Sequence, residues 1–459
     1  MKRSLCNIYK TILFITVVSL FCSVLSGCRF VFPGSTEKTE DSVTMTDNND
    51  ILPTGETEKT EVPEATPIQT EKTSEDALKW IDRYKDEGND GDKVLMSSDD
   101  IKKFNSDTAT RSDAITDIMN VPNSLNGSDV RTMIEKMGVV SLPKYDKNNN
   151  EITETTLEGI LENRNLSALV DKEINVKLGI IVQRTALRSL PTETPFFSDP
   201  GKQYYDRIQE TEVVVGSGVW VLHESENGEY CFVQTFNYSG WVASKHIAIA
   251  ASYAEWKAFA SPERFAVVKD SLYTTKESYT KLDMGVKLPI ADVSYDGYKV
   301  KLPGRNPDGT LYYDYITLGR DIACEGYLPY TMNNFCKQAF KYEGFMYGWG
   351  GSYDSVDCSG FVSAVMRVFG FELPRNVSQQ RNIVGEIIQV EGTGRENVEK
   401  VLDGINVPAA VYKPGHVMLY LGKNDGSYYV IHSPEGGRVV CEEILDTSAT
   451  NLMSINLFK

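Results

Sequence analysis

The sequence predicts an α+β protein built from several modules, and three observations lead to this prediction. Residues 76–175 carry apolar residues at helical spacing, whereas residues 176–250 change to a period of about two, interrupted by tight turns. In the last third, a glycine-rich stretch leads into a helix, and two apolar strands follow it. A chain of 459 residues has room for three or four domains of roughly 100–200 residues each.

The overall charge limits the possible partners. The net charge is −17, and no basic cluster reverses it locally. A strongly acidic surface repels phosphate backbones, so we expect no nucleic-acid partner.

The N-terminus, residues 1–27, has the pattern of a signal peptide. A basic start precedes an apolar stretch, Thr11–Val24, that is too short to cross a hydrocarbon core of ~30 Å comfortably. The stretch ends in Leu25-Ser26-Gly27-Cys28, which resembles the lipobox of bacterial lipoproteins. The resemblance implies lipidation of Cys28 and an extracytoplasmic chain anchored in the cell membrane by its N-terminal lipid. The alternative is an ordinary secretory signal with an incidental cysteine.

The next two segments are predicted to support the rest of the chain. Residues 28–75 are rich in Thr, Glu and Pro and poor in large apolar residues, which predicts a disordered stalk. The helical spacing of apolar residues in 76–175 predicts an N-terminal helical segment. One of its helices is expected to be capped by Ser128 and to end at Gly138, with an apolar face formed by Val130, Met133, Ile134 and Met137. No catalytic constellation is visible there, so we expect a stabilising role.

Residues 176–250 predict a small β-barrel. Their short predicted strands are joined by turn-forming sequences such as Asn227-Gly228. Ser239-Gly240-Trp241-Val242 resembles the GWV element of bacterial SH3 domains. Residues 251–323 have further strand and turn signals and predict a second SH3-like barrel. His223 and His246 are isolated on these strands, so we interpret both as structural.

Residues 324–459 carry the candidate chemistry. Cys358 falls at the start of a helix with an apolar stripe, and Asp357 lies near its cap. Unpaired amides and the helix dipole favour negative charge at that end, so we expect a lowered thiol pKa and a nucleophile. An ordinary helix start is the structural alternative.

A cysteine nucleophile requires a base, and two of the four histidines follow Cys358 in the chain. His416 follows a Pro-Gly turn at the start of one apolar strand, and His432 lies in the next. A hairpin would bring both imidazoles to the same end of a sheet, as a base and its orienting partner. Zinc binding by the Cys/His/His set is the other possibility, but the wide spacing is atypical of a metal site, and we expect no metal and no cofactor.

The remaining cysteines do not suggest a disulfide scaffold. Five follow Cys28, their number is odd, and no close pair occurs: Cys231, Cys324, Cys336, Cys358 and Cys441. At least one thiol should be free.

These motifs resemble the NlpC/p60 family of papain-like cell-wall cysteine peptidases. The similarity rests on Tyr347-Gly348-Trp349-Gly350-Gly351, Asp357-Cys358-Ser359-Gly360-Phe361, Leu373-Pro374-Arg375 and Gly415-His416-Val417, in the family's order. It implies Cys358 as the nucleophile, His416 as the base and His432 as the third polar residue. It also implies that the Tyr347 hydroxyl assists at the oxyanion, and that Asp357 and Ser359 line the peptide groove.

Together with the SH3-like region, the resemblance is to γ-D-glutamyl-L-diamino-acid endopeptidases. It implies hydrolysis of the γ-D-glutamyl–diamino acid bond in peptidoglycan stem peptides, in cell-wall turnover or recycling. In recycling members the first SH3 domain reads a free L-alanine amine, for which Glu210 is a candidate here. An acyltransferase on the same fold and a non-enzymatic wall-binding lipoprotein are the alternatives. The sequence leaves the oligomeric state and the third stem residue open.

Overall fold

The structure, a computed structural model, describes residues 74–444 and 451–459. The signal peptide, Cys28 and nearly all of the predicted stalk lie outside these residues. Within the described ranges, no helix combines the length and apolar character needed to cross a membrane.

Four α-helices and a two-stranded sheet form the N-terminal segment. They are α1 (Glu75–Asp86), α2 (Ser98–Thr110), β1 (Ser124–Asn126), α3 (Gly127–Lys136), α4 (Glu154–Glu162) and β2 (Glu173–Asn175). Strands β1 and β2 pair antiparallel.

The predicted cap of α3 is wrong by two residues. The Asn126 side chain, rather than that of Ser128, caps the helix and accepts a hydrogen bond from the Ser128 N–H at 2.9 Å. Gly127 begins the helix against the backbone of Leu169, where a Cβ atom would lie 2.1 Å from the carbonyl oxygen. This close tertiary contact requires a glycine at the first position, and the sequence spacing did not reveal it. Gly138 follows the helix with φ 68°, as the predicted stop requires.

A seven-stranded antiparallel sheet follows, in the order β5-β4-β8-β7-β6-β3-β9. Its strands are β3 (Lys177–Ile181), β4 (Thr185–Arg188), β5 (Gln209–Val213), β6 (Gly218–Glu224), β7 (Tyr230–Gln234), β8 (Ser239–Ala243) and β9 (Ile247–Ile249). Trp241 of the predicted GWV element is fully buried beside Phe232. His223 Nε2 hydrogen-bonds the Arg164 carbonyl of the N-terminal segment, and His246 Nδ1 hydrogen-bonds the Thr185 hydroxyl, as expected for structural histidines.

The next region combines one helix with a five-stranded antiparallel sheet, in the order β15-β14-β13-β10-β16, and a small hairpin. Its elements are α5 (Tyr253–Ala260), β10 (Phe265–Val268), β11 (Leu272–Thr274), β12 (Lys281–Asp283), β13 (Lys287–Ser294), β14 (Gly297–Arg305), β15 (Leu311–Leu318) and β16 (Ala323–Glu325).

The C-terminal region packs helices against a six-stranded antiparallel sheet, in the order β17-β22-β18-β19-β20-β21. The helices are α6 (Met332–Phe340), α7 (Cys358–Arg367), α8 (Val377–Ile383) and α9 (Arg395–Asp403). The strands are β17 (Glu386–Gln389), β18 (Ala409–Lys413), β19 (His416–Asn424), β20 (Ser427–His432), β21 (Val440–Glu443) and β22 (Ser454–Leu457).

The N-terminal helices α1 and α2 have no core of their own. Ala77, Ile101 and Phe104 belong to the same buried cluster as Phe361 of α7 and Tyr412 of β18. Arg111 adds hydrogen bonds from its guanidinium to the carbonyls of residues 383 and 385. The first two helices are therefore part of the wall of the C-terminal core.

Candidate active site

Helix α7 positions the candidate nucleophile as the sequence predicts. It begins at Cys358, and the Asp357 side chain caps it by accepting from the Gly360 N–H at 2.8 Å. The helix packs against β19, and the Cys358 sulfur accepts a hydrogen bond from the Val417 N–H on that strand. The thiol thus lies beside the residue that follows His416.

The expected lowering of the thiol pKa is wrong for the resting protein. Burial, with only 6 % of Cys358 exposed, raises the pKa of its thiol to about 12, and the negative charge of Asp357 adds to this shift. Hydrogen bonds from the Val417 and Ser359 backbone oppose the shift but do not reverse it. The helix-terminus effect is worth about 1 kcal/mol or less, so desolvation outweighs it here. Cys358 is therefore a thiol before substrate arrives.

The two downstream histidines meet as predicted. Strands β19 and β20 form an antiparallel hairpin, and His416 Nε2 lies 2.6 Å from His432 Nδ1. Burial lowers the pKa of His416 to about 3, helped by His432 and Lys413, and burial also lowers the pKa of His432. Both imidazoles are therefore neutral at neutral pH.

A fourth residue, Glu442, extends the series of hydrogen bonds from His416 and His432, and the sequence did not predict it. Its Oε1 lies 2.9 Å from His432 Nε2. A carboxylate only accepts hydrogen bonds, so His432 Nε2 carries the proton and His432 Nδ1 is an acceptor. His416 Nε2 must then donate, which leaves His416 Nδ1 as the unprotonated nitrogen that can take the thiol proton. Glu442 is one of two adjacent glutamates on β21, and the register of β21 against β20 puts Glu442 on the face of His432.

Asp357 and Ser359 do not line an open groove, contrary to the expectation. Both are buried, and Arg375, also buried, forms an ion pair with Asp357 Oδ2 and donates to Ser359 Oγ at 2.9 Å. The Gly350 N–H also donates to Asp357 Oδ2. This ion pair and these hydrogen bonds hold the pKa of Asp357 below its usual range despite its burial. Asp357 therefore fixes the start of α7, and its acceptor atoms are already occupied.

Tyr347 lies near the nucleophile as a protonated phenol. Burial, with Asp357 and Cys358 nearby, raises its pKa well above the usual value, so its hydroxyl keeps a proton to donate. Its ring is 6.1 Å from that of Tyr205 in the SH3-like region.

Strand β5 supports the turn that precedes Cys358. The Gln209 side chain donates to the Gly350 carbonyl at 3.0 Å, and Trp349 Nε1 donates to the Gln209 carbonyl at 2.9 Å. Gly350 and Gly351 have φ values of 57° and 80°, and a Cβ atom on Gly351 would lie 1.9 Å from Glu212 Oε2. The seven-stranded sheet therefore forms one wall of the site.

The described ranges contain no group of three or more His, Cys, Asp or Glu side chains arranged to hold a metal ion. All five cysteines after Cys28 are free thiols.

Two family models match the chain: an SH3 domain of the SH3b1 type at residues 195–243 and the NlpC/P60 family at residues 344–454. No curated protein matches significantly. Among solved structures, the chain is similar to an NlpC/P60 endopeptidase from Photobacterium damselae subsp. piscicida, with a TM-score of 0.66 and 20% identity. That alignment covers 86% of this chain and 98% of the other.

A second solved structure, an NlpC/P60 family protein from Bacillus cereus, aligns with 61% of this chain and 99% of its own. Its TM-score is 0.46 and its identity 18%. The first alignment establishes the fold, and the domain match covers the cysteine, both histidines and Glu442. The chain thus carries an NlpC/P60 domain behind an SH3b1-type SH3 domain, and this domain makes it a cysteine peptidase of the class that acts on peptidoglycan.

Proposed function

We propose that the chain is a lipid-anchored, extracytoplasmic endopeptidase that hydrolyses the γ-D-glutamyl–diamino acid bond of peptidoglycan stem peptides. The observation that carries the proposal is the hydrogen-bonded chain from His416 through His432 to Glu442, with the Cys358 thiol bound beside it at Val417. A thiol, a base and a polarising partner in this order suit acyl transfer.

The reaction begins with both partners neutral. His416 Nδ1 takes the Cys358 proton as the sulfur attacks the γ-carbonyl of D-glutamate, and the new imidazolium is stabilised through His432 and Glu442. The Cys358 backbone N–H and the Tyr347 hydroxyl stabilise the oxyanion, at roughly 3–4 kcal/mol for each donor. His416 then protonates the departing amine, and water hydrolyses the thioester with His416 again as the base.

A free amine at the peptide N-terminus would be recognised by the SH3-like region. Tyr238 Oη donates to Glu210 Oε2 at 2.6 Å, and both residues are partly buried. Tyr238 also contacts Asn376, next to Arg375 in the catalytic region. A partly buried carboxylate at this junction is suited to an ammonium group, which favours released peptides over intact wall as the substrate.

The substrate proposal is tested by digesting L-Ala-γ-D-Glu-diaminopimelate, its lysine analogue and intact wall sacci side by side, with mass detection. We expect cleavage of at least one free tripeptide between glutamate and the diamino acid, and none by Cys358→Ala. Cleavage at another bond would overturn the assigned specificity. A new amide in place of free glutamate would indicate the acyltransferase. If nothing is cleaved, the wall-binding alternative gains support.

Amine recognition is tested with Glu210→Gln. We expect KM for the free peptide to rise about tenfold, since a charge-assisted hydrogen bond is worth about 1.5 kcal/mol, while kcat changes little. N-acetylation of the peptide should weaken cleavage by the parent protein and remove the difference between the two proteins. Glu226→Gln, on an exposed turn of the same domain, is the matched control. Equal KM values in Glu210→Gln and the control would exclude Glu210 as the amine binder.

The anchor is tested in cells by metabolic labelling with a fatty acid. The parent chain should take up label and partition with membranes, and Cys28→Ala should lose both properties. Label retained in Cys28→Ala would overturn the assignment of the lipidation site.

A further inference from the structure

A cavity of about 170 Å³ lies behind the nucleophile helix, where the SH3-like, second sheet and catalytic regions meet. Its walls include the turn after β5, the turn before β13, one face of α7 and the segment after Gly370. The nucleophile lies at the first residue of α7, and Cys358 is not among the lining residues. The cavity thus adjoins the start of the helix through Gly360 and Arg375, but the nucleophile itself does not line it.

Small residues keep this space open. Gly216, Gly285 and Gly370 line the cavity with φ values of 80°, 82° and 99°, which L side chains rarely adopt. On α7, Ser363 and Arg367 are half-buried, whereas the other residues of the helix are buried. The two half-buried residues of this helix are therefore residues that line the cavity.

Among the charged side chains that line the cavity are Lys287 and Glu372, which carry opposite charges. The Lys287 ammonium lies 5.8 Å and 5.7 Å from the ring centroids of Phe265 and Tyr327, and the Glu372 side chain is exposed. Neither side chain has a hydrogen bond or an ion pair within residues 74–444 and 451–459. Both side chains therefore line one cavity with opposite charge.

We propose that this cavity binds a small zwitterion, an amino acid or short peptide, whose carboxylate pairs with Lys287 and whose ammonium pairs with Glu372. A ligand with one charge would pair with only one of the two side chains, whereas a zwitterion forms a charged hydrogen bond with each. Space of this size exceeds what one or two waters fill and is sufficient for a small organic molecule. The bound ligand would contact all three regions at once.

The test titrates the full chain with glycine, glycylglycine and triglycine by calorimetry, with N-acetylglycine and glycinamide as single-charge probes. We expect at least one zwitterion to bind at millimolar concentration or below. Lys287→Met and Glu372→Gln should each weaken its affinity about tenfold, because each removes one charged hydrogen bond. The single-charge probes should bind no better to the parent protein than the zwitterion binds to these variants.

Lys299→Met and Glu391→Gln are the matched controls. Lys299 also lies over a tyrosine ring, at 4.7 Å from its centroid, and Glu391 is exposed far along the chain from the cavity lining. Both controls should bind like the parent protein, and circular dichroism should show all four variants folded. No binding of any zwitterion, or binding unaffected by both cavity substitutions, would overturn the proposal. Calorimetry measures binding without any cleavage reaction. The outcome therefore does not depend on which peptidoglycan bond the protein hydrolyses.

Discussion

At the scale of single residues, protonation is decided by burial. The helix terminus favours a thiolate at Cys358, but the side chain is nearly enclosed and Asp357 carries a negative charge beside it. His416 is likewise desolvated, and Lys413 and His432 disfavour its cation. The resting pair is thus thiol and imidazole, and substrate binding must bring about the proton transfer.

The thiolate state of Cys358 is directly observable. Thiolate absorbance in the ultraviolet is followed against pH in the parent protein and in Cys358→Ala, and the second curve is subtracted from the first. The difference should show no step below about pH 9, because burial raises the pKa of Cys358 to about 12. The other cysteines are common to both proteins and cancel in the difference. A step below pH 7 that disappears in His416→Ala would instead show a preformed thiolate–imidazolium pair.

Glu442 should act as a positioning residue through His432. In Glu442→Gln we expect kcat to fall about five- to tenfold with KM nearly unchanged, since one charged hydrogen bond to a buried histidine is weakened. Glu443→Gln, the next residue on the same strand, is the matched control because its side chain alternates to the other face. Equal kcat values in both variants would remove Glu442 from the proton chain.

At the scale of elements, the start of α7 is fixed by contacts from several parts of the chain. Arg375 joins Asp357 and Ser359 at the helix start to Thr211 of β5, which accepts from its Nε at 2.6 Å. Arg184 reaches the turn before Cys358 and donates to the Ser355 carbonyl while pairing with Asp283. The geometry of the nucleophile therefore depends on the neighbouring sheets.

Removing Arg375 should destabilise the fold strongly. Arg375→Met leaves the buried Asp357 charge unpaired, so we expect the free energy of unfolding in urea to fall by about 3–5 kcal/mol. Arg131→Met, which breaks an exposed pair with Glu135 on α3, should cost about 0.5 kcal/mol or less. Similar losses in the two variants would contradict a structural role for the buried pair.

The same pair sets an acid limit on stability. The pKa of Asp357 in the folded protein lies below its ordinary value. The Asp357–Arg375 pair therefore contributes fully to the free energy of unfolding above about pH 4, and this contribution is lost as pH falls through the lowered pKa. The stability gap between the parent protein and Arg375→Met should therefore narrow on acidification. Urea unfolding of both proteins, measured from pH 7 downward, tests this. A difference in unfolding free energy that stays constant with pH would show that the effect of Arg375→Met does not come from the Asp357 charge.

At the scale of the whole molecule, the catalytic core is shared with distant segments. Helices α1 and α2 contribute Ala77, Ile101 and Phe104 to it, and Asn105 bonds the Gly370 carbonyl. The sequence prediction of a helical segment that supports the rest of the chain did not include this shared core. Helical periodicity shows which face is apolar but not which surface will cover it.

A fragment of residues 324–459 should consequently fail to fold stably. It loses the apolar cover of α1 and α2 and the contacts of β5 with the turn before Cys358. Residues 74–459 should give a single cooperative thermal transition, whereas the fragment should give a broad transition or none by circular dichroism. A cooperative, active fragment would show that the shared core is dispensable.

The sequence by itself determined the local chemistry. Turn, cap and period signals place Cys358 after its Asp357 cap, and they place His416 and His432 on adjacent strands of a hairpin. Tertiary structure alone decided that the thiol is protonated, that Glu442 rather than Glu443 joins the proton chain, and that Asp357 pairs with Arg375. The physical reason is range: caps and strand periods depend on residues a few positions apart, whereas desolvation and ion pairing depend on side chains brought together from distant segments.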